Sequence, residues 1–137
     1  MTAKEYLKQV YLLDKRIDSD IEEVTELRAL AEKVTMPAMG ERVQTSLSRE
    51  APFVKSLEQI WMLEQEINDE IDTLVDLKRQ IRRTIDKLED FNQKMLLRYR
   101  YIHCYSWENI AEKMGISLRW AYGLHGKALQ ALEAVLK

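Results

Sequence analysis

Residues able to make or break bonds are few in this chain and poorly arranged for it. His103 and Cys104 adjoin, while the other histidine, His125, stands far along the chain, and the paired-cysteine spacing of a zinc site is absent. No carboxylate is arranged to orient His103 against Cys104 as a nucleophile, and neither a Gly-rich phosphate loop nor a Ser/His/Asp set occurs. The side chains therefore point to no enzyme, no metal site and no cofactor. A different chemistry is written between Ser106 and Lys127. Ser106 precedes Trp107, Glu108 and Asn109 as a helix N-cap followed by an acid favourable to the helix dipole. Gly115 supplies the residue able to take positive φ where that helix ends, and Ser117 caps the next.

Ala111, Gly115, Ile116 and Ser117 thus have the spacing of a helix-turn-helix. Ala111 is small where two helices cross closely, Gly115 makes the bend and Ile116 fills the gap between the helices. A recognition helix starting at Ser117 would present Leu118, Arg119, Tyr122 and Gly123 to base edges, with Trp120 and His125 at its margins. Arg119 is the one residue among them whose donors suit a base edge in the major groove. Lys127 on the same helix, and Lys94, Arg98 and Arg100 on a preceding short helix, could meet phosphates; the plainer alternative for each is a solvated basic face. Trp107 at a helix start reads as a core residue, whereas Trp120 could either pack or stack on a base.

The charge distribution bears on this reading. The 137-residue chain has a formal net charge of −2, but residues 91–137 hold seven Lys and Arg against three Glu, a net of +4. The remainder is then −6. A basic C-terminal third joined to an acidic front is the pattern expected when one end meets phosphates and the other meets protein or solvent. The single cysteine excludes an intramolecular disulfide, the opening residues do not resemble a signal peptide, and no apolar run approaches the roughly 20 residues that span a bilayer. A cytoplasmic protein with no membrane partner is expected.

Helices must position these groups. Gly and Pro number only 4 and 2, which favours helix over a turn-rich sheet protein, so the fold class is all-α. Val10, Leu13, Ile17, Val24, Leu27, Ala31 and Val34 recur at alternating spacings of three and four with one polar interruption at Asp20, predicting a helix over about 2–34 with Ile21 and Leu30 widening its apolar stripe. Pro37, Gly40, Pro52 and a cluster of Ser and Thr predict a loop over 35–52, with room for one short helical turn near Glu41 to Leu47. A second helix follows over about 53–88, its face formed by Leu57, Ile60, Leu63, Ile67, Ile71, Leu74, Leu77, Ile81, Ile85 and Leu88. At an offset of 50 the segment LDKRIDSDIEEVTELRAL aligns with LEQEINDEIDTLVDLKRQ. Internal duplication would produce this, and so would any two acidic heptad helices set nearly a whole number of turns apart. The pair predicts a long antiparallel hairpin over 1–89, followed by a helix-turn-helix domain over 90–137 whose short helices carry Phe91, Met95, Leu96, Tyr99 and Ile102 on one face and Trp107, Ile110, Ala111 and Met114 on another. A two-helix hairpin has little interior, so its stripes should pack on the C-terminal domain or on a second chain, with self-association the favoured route.

The stretch RYRYIHCYSWENIAEKMGISLRWAYGLHGKALQAL resembles the fourth region of bacterial sigma factors, which recognises the −35 promoter element. The run GISLRWAYGLHGKAL follows that family's Gly-apolar-Ser/Thr start and Lys-Ala-Leu finish without a gap. With its acidic helical front half and Pro/Ser segment, nearly the whole chain is similar to small phage and prophage regulators of the RinA and ArpU kind, late-operon activators of phages of Gram-positive bacteria. The resemblance implies DNA contacts at Leu118, Arg119, Trp120, Tyr122, Gly123 and Lys127, with RNA polymerase as a further partner. Sigma factors place several Arg and a Gln or Glu at these positions; Leu, Trp, Tyr and Gly here imply a different base preference and fewer phosphate contacts. The expected function is sequence-specific transcription regulation. Two other readings share the features: a DNA-packaging protein like a phage small terminase subunit, and a helical adaptor that binds no DNA.

Overall fold

Apolar side chains spaced seven residues apart govern the two long helices. The computed structural model describes residues 1–35 and 42–137, with side chains described outside 34–53. Helix α1 spans Ala3–Thr35 and α2 spans Arg42–Ile85. Along α2 the residues Ile60, Ile67, Leu74 and Ile81 are buried in strict heptad order, and on α1 Ala3, Leu7, Val10, Ile17 and Ala31 are buried. Cross-links fix the direction: Arg28 pairs with Glu64, and Arg16 Nε lies 3.7 Å from Glu70 Oε2. Rising numbers on one helix meet falling numbers on the other, so these segments run antiparallel, as the heptad pattern predicts.

Two features of the hairpin differ from expectation. The helical backbone of α2 begins at Arg42 rather than Phe53, so helix continues through Pro52, the residue whose missing N–H favoured a loop. What remains of the expected loop, 36–41, lies outside the described residues, as do the side chains of Ser46 and Ser48. The apolar stripe is also only partly covered. Ile21 and Leu30 on α1, and Leu57 and Ile71 on α2, are exposed although each extends the predicted face. One helix against one helix closes a narrow seam and cannot cover a wide stripe.

The chain forms two compact units, one of Lys15–Asp72 and one that joins Met1–Asp14 to Thr73–Lys137. The C-terminal helices are therefore grouped with both ends of the hairpin instead of standing apart after residue 89. In this second unit α3 spans Phe91–Leu97, a π-helical turn spans Arg98–Ile102, α4 spans Trp107–Met114 and α5 spans Leu118–Leu136. Its core consists of Leu7 and Val10 from α1, Ile81 and Ile85 from α2, and Leu96, Leu97, Ile110 and Leu132 from the later helices, all fully buried. Polar contacts tie the same elements together. The Ala3 N–H donates to Glu133 Oε2 at 2.7 Å, and the Tyr6 and Thr84 hydroxyls lie 3.3 Å apart.

The π-helical turn resets the register of the basic segment. The His103 N–H donates to the Arg98 carbonyl at 3.1 Å, an i→i−5 bond that shifts later side chains around the axis relative to an α-helix. Tyr101 is buried within this turn; ahead of it, in α3, Leu96 and Leu97 are buried while Phe91, expected on the core face, is 71% exposed. Among the described residues the only secondary structure is helical and turn, and no helix is long and apolar enough to cross a membrane.

Candidate nucleic-acid interface

The junction of α4 and α5 is built from local signals. Ser106 Oγ accepts the Asn109 N–H at 3.2 Å and starts α4. Gly115 ends it with φ +66, and the Ile116 N–H reaches the Ala111 carbonyl at 3.0 Å while the Gly115 N–H reaches that of Glu112 at 3.2 Å. This pair of bonds is a Schellman closure, which requires the left-handed conformation that glycine adopts without steric cost. Two residues on, Ser117 Oγ accepts the Trp120 N–H at 3.0 Å and starts α5. Ala111 and Ile110 are buried under the crossing. Every cap and break expected of this segment is present at its predicted residue.

Helix α5 turns Ala121, Ala128 and Leu132 into the core, which decides what it presents outward. Ser117, Leu118, Arg119, Trp120, Tyr122, Gly123 and Lys127 are all exposed, with Trp120 at 65% and Tyr122 at 49%. Arg119 and Lys127 make no ion pair among the described residues. An exposed tryptophan beside an uncommitted arginine is a surface suited to contact. Gly123 and Gly126 lie on this helix in open space, where an added Cβ would touch nothing within 4 Å and no unusual φ is required. Glycine within a helix costs about 1 kcal/mol relative to alanine. Neither packing nor backbone geometry within the unit requires that cost, and a bare helix surface allows close approach by something docked on it.

The remaining basic residues divide. Arg98 is half-buried, with Nη1 3.4 Å from Asp86 Oδ1. Arg100 is drawn inward: its Nη1 donates to the Tyr105 carbonyl at 3.0 Å, and its guanidinium lies 4.8 Å from the Trp107 ring centre and 5.9 Å from that of Tyr11. Trp107 is half-buried and meets His125 edge-on at 4.7 Å and Tyr122 at 5.2 Å. His125 is also drawn inward rather than left at the outer margin of α5. Its Nε2 is 2.8 Å from the Tyr101 hydroxyl, and burial, with the positive charges of Lys4 and Arg100, lowers its pKa from 6.5 to about 4.

His103 and Cys104 lie at the turn after the π segment. Cys104 adopts φ +57, uncommon for a residue with a side chain. His103 stacks on Tyr105 at 5.3 Å, and Lys113 Nζ sits 5.1 Å from the Tyr105 ring centre. Lost hydration and then the charges of Arg98, Lys78 and Lys113 lower the His103 pKa. These two side chains serve the turn and its basic surroundings. The sequence pattern gave no notice of Lys4, Lys8 and Tyr11, which line a cavity with Arg100, Trp107 and His125. Their i, i+4, i+7 spacing along one face of α1 was the available signal, but it is equally that of an ordinary polar face.

No curated protein and no solved structure matches the chain. A family model described as a protein of unknown function, DUF1492, matches residues 41–133, which take in α2 through most of α5. With well over half of its length inside that match, the chain belongs to the DUF1492 family.

Proposed function

We propose that this protein is a non-enzymatic, sequence-specific DNA-binding transcription regulator of phage or prophage origin, in which α4 and α5 act as a helix-turn-helix of the sigma region 4 kind. The observation that carries the reading is the outward face of α5: Leu118, Arg119, Trp120, Tyr122 and Gly123 are exposed directly after the Gly115 bend, while Ala121, Ala128 and Leu132 anchor the opposite face. In this reading Arg119 reads a base edge, Ser117 and Lys127 meet phosphates, and Gly123 allows the helix backbone into the groove. Arg98 lends charge at the flank. Arg100, committed to Tyr105 and the aromatic rings, supports the site from behind.

Self-association through the hairpin fits the exposed Leu57, Trp61, Ile71 and Val75 on α2, and a dimer would place two α5 helices on two half-sites. RNA polymerase is a further partner in this reading, by analogy with the sigma factors that the C-terminal segment resembles.

Selection of bound sequences from random duplex DNA tests the proposal, using the full chain beside an Arg119→Ala, Lys127→Ala double variant. The wild type is expected to enrich one sequence, and the variant to lose it with an affinity drop of about tenfold or more. Binding by the variant equal to that of the wild type would overturn the assignment of α5. A particle of about eight chains or more in light scattering would replace regulation with DNA packaging.

A further inference from the structure

A cavity of about 400 Å³ lies within the unit formed by both chain ends. Helix α1 supplies Lys4, Lys8 and Tyr11 to one wall; Arg100, Trp107 and His125 supply another. Two properties set it apart from a packing defect. Its lining holds three cations and no carboxylate, and Lys4 and Lys8 make no ion pair among the described residues. Its other walls are aromatic, with the Arg100 guanidinium held between the Trp107 and Tyr11 rings at 4.8 and 5.9 Å. A guanidinium has five N–H donors, and the contact with the Tyr105 carbonyl uses one nitrogen, Nη1. The group is therefore positioned by its neighbours and still able to donate.

Uncompensated positive charge beside aromatic surface is complementary to an anion that carries a flat ring. The volume falls within the roughly 300–1,000 Å³ range of small-molecule sites and far exceeds what a bare phosphate would fill. We propose that this cavity binds a nucleoside phosphate, with Lys4, Lys8 and Arg100 meeting the phosphate and the base seated among Tyr11, Trp107 and His125. Arginine and lysine supply charge-assisted hydrogen bonds to phosphate oxygens, and the rings supply a sequence-tolerant stacking surface. Burial first, and then the charges of Lys4 and Arg100, lower the His125 pKa, so the ring among these cations is held neutral. The proposal is independent of DNA binding by α5, because none of the cavity's cations belongs to the exposed face of that helix.

Calorimetric titration of the full chain with AMP, GMP, CMP and UMP, and separately with adenosine and inorganic phosphate, tests it. At least one monophosphate is expected to bind, with adenosine and inorganic phosphate each weaker by about tenfold or more. Lys4→Ala, Lys8→Ala should weaken the monophosphate by a similar factor; both side chains are exposed, and circular dichroism checks that the variant is folded. Arg119→Ala, Lys127→Ala should bind the monophosphate as the wild type does, which separates this site from the DNA surface. Absence of binding by all four monophosphates, equal binding by inorganic phosphate alone, or undiminished binding by the Lys4, Lys8 variant would each overturn the proposal.

Discussion

His125 occupies the point where the core and the basic surface meet, and its protonation is a property of the fold. The ring accepts or donates one hydrogen bond with the Tyr101 hydroxyl, meets the edge of Trp107, and feels Lys4 and Arg100, so the neutral form is favoured down to a pKa of about 4. An unfolded chain protonates the same residue near 6.5. Between those values the unfolded state binds a proton that the folded state refuses, so the folded protein loses stability as pH falls from about 6.5 towards about 4. His125→Gln retains a partner for Tyr101 without the titration. Thermal denaturation followed from pH 7 to 4.5 should show wild-type Tm falling more steeply than that of the variant. Parallel curves would mean that His125 is not held neutral. The position was visible in the sequence only as a margin of a recognition helix. Nothing local tells that the ring turns inward, because Tyr101, Lys4 and Trp107 reach it through tertiary packing.

At the scale of the element, the hairpin carries a polar fault in its seam. Glu70 occupies the interval between the heptad residues Ile67 and Leu74, its side chain is only 15% exposed, and its buried Oε2 atom finds no fixed donor, the neighbouring Asp20 being a second carboxyl. The 3.7 Å approach of Arg16 Nε is too long to be a hydrogen bond, and burial together with Asp20 outweighs it, raising the Glu70 pKa. Because the folded pKa lies above the unfolded one, the charged carboxylate opposes folding once pH rises through it. Glu70→Gln should therefore stabilise the protein at pH 7 by about 1 kcal/mol, a shift of a few degrees in Tm, with the gain shrinking as pH approaches 4.5. A loss of stability at pH 7 would show that the Arg16 pair dominates. Elements of this kind were legible in unequal degree. Ser106, Gly115 and Ser117 marked the ends of α4 and α5 because caps and bends are set within a few residues. The start of α2 was not legible, since Pro52 signals a break and the helix runs through it. The π-helical turn escaped as well: a 3.6-residue period read through Arg98–Ile102 turns Tyr99 and Ile102 to the core, where both are half-buried, and misses the buried Tyr101.

For the molecule as a whole, the acidic front and the basic end make ionic strength the natural probe of how many copies act together. Each phosphate neutralised on duplex DNA contributes about −0.9 to the slope of log affinity against log salt. Two cations face phosphates in the proposed reading, Arg98 and Lys127, while Arg119 reads a base, so one chain should give a slope of about −2 and a dimer about −4. Exposed apolar residues on α2 supply the reason to expect two chains. Trp61 is 63% exposed and shares the helix with exposed Leu57, Ile71 and Val75, more apolar surface than a solitary hairpin gains by leaving in water. Trp61→Glu places a charge in that patch without touching the buried Ile60, Ile67 and Leu74 seam, so the fold should persist while self-association fails. The slope should then fall from about −4 to about −2, and light scattering should report half the mass. A variant that halves in mass with an unchanged slope would mean that each chain binds DNA through more cations than the α5 surface provides. A wild type that is already monomeric would leave the exposed apolar face of α2 for a different protein, and the slope of about −2 would hold from the outset.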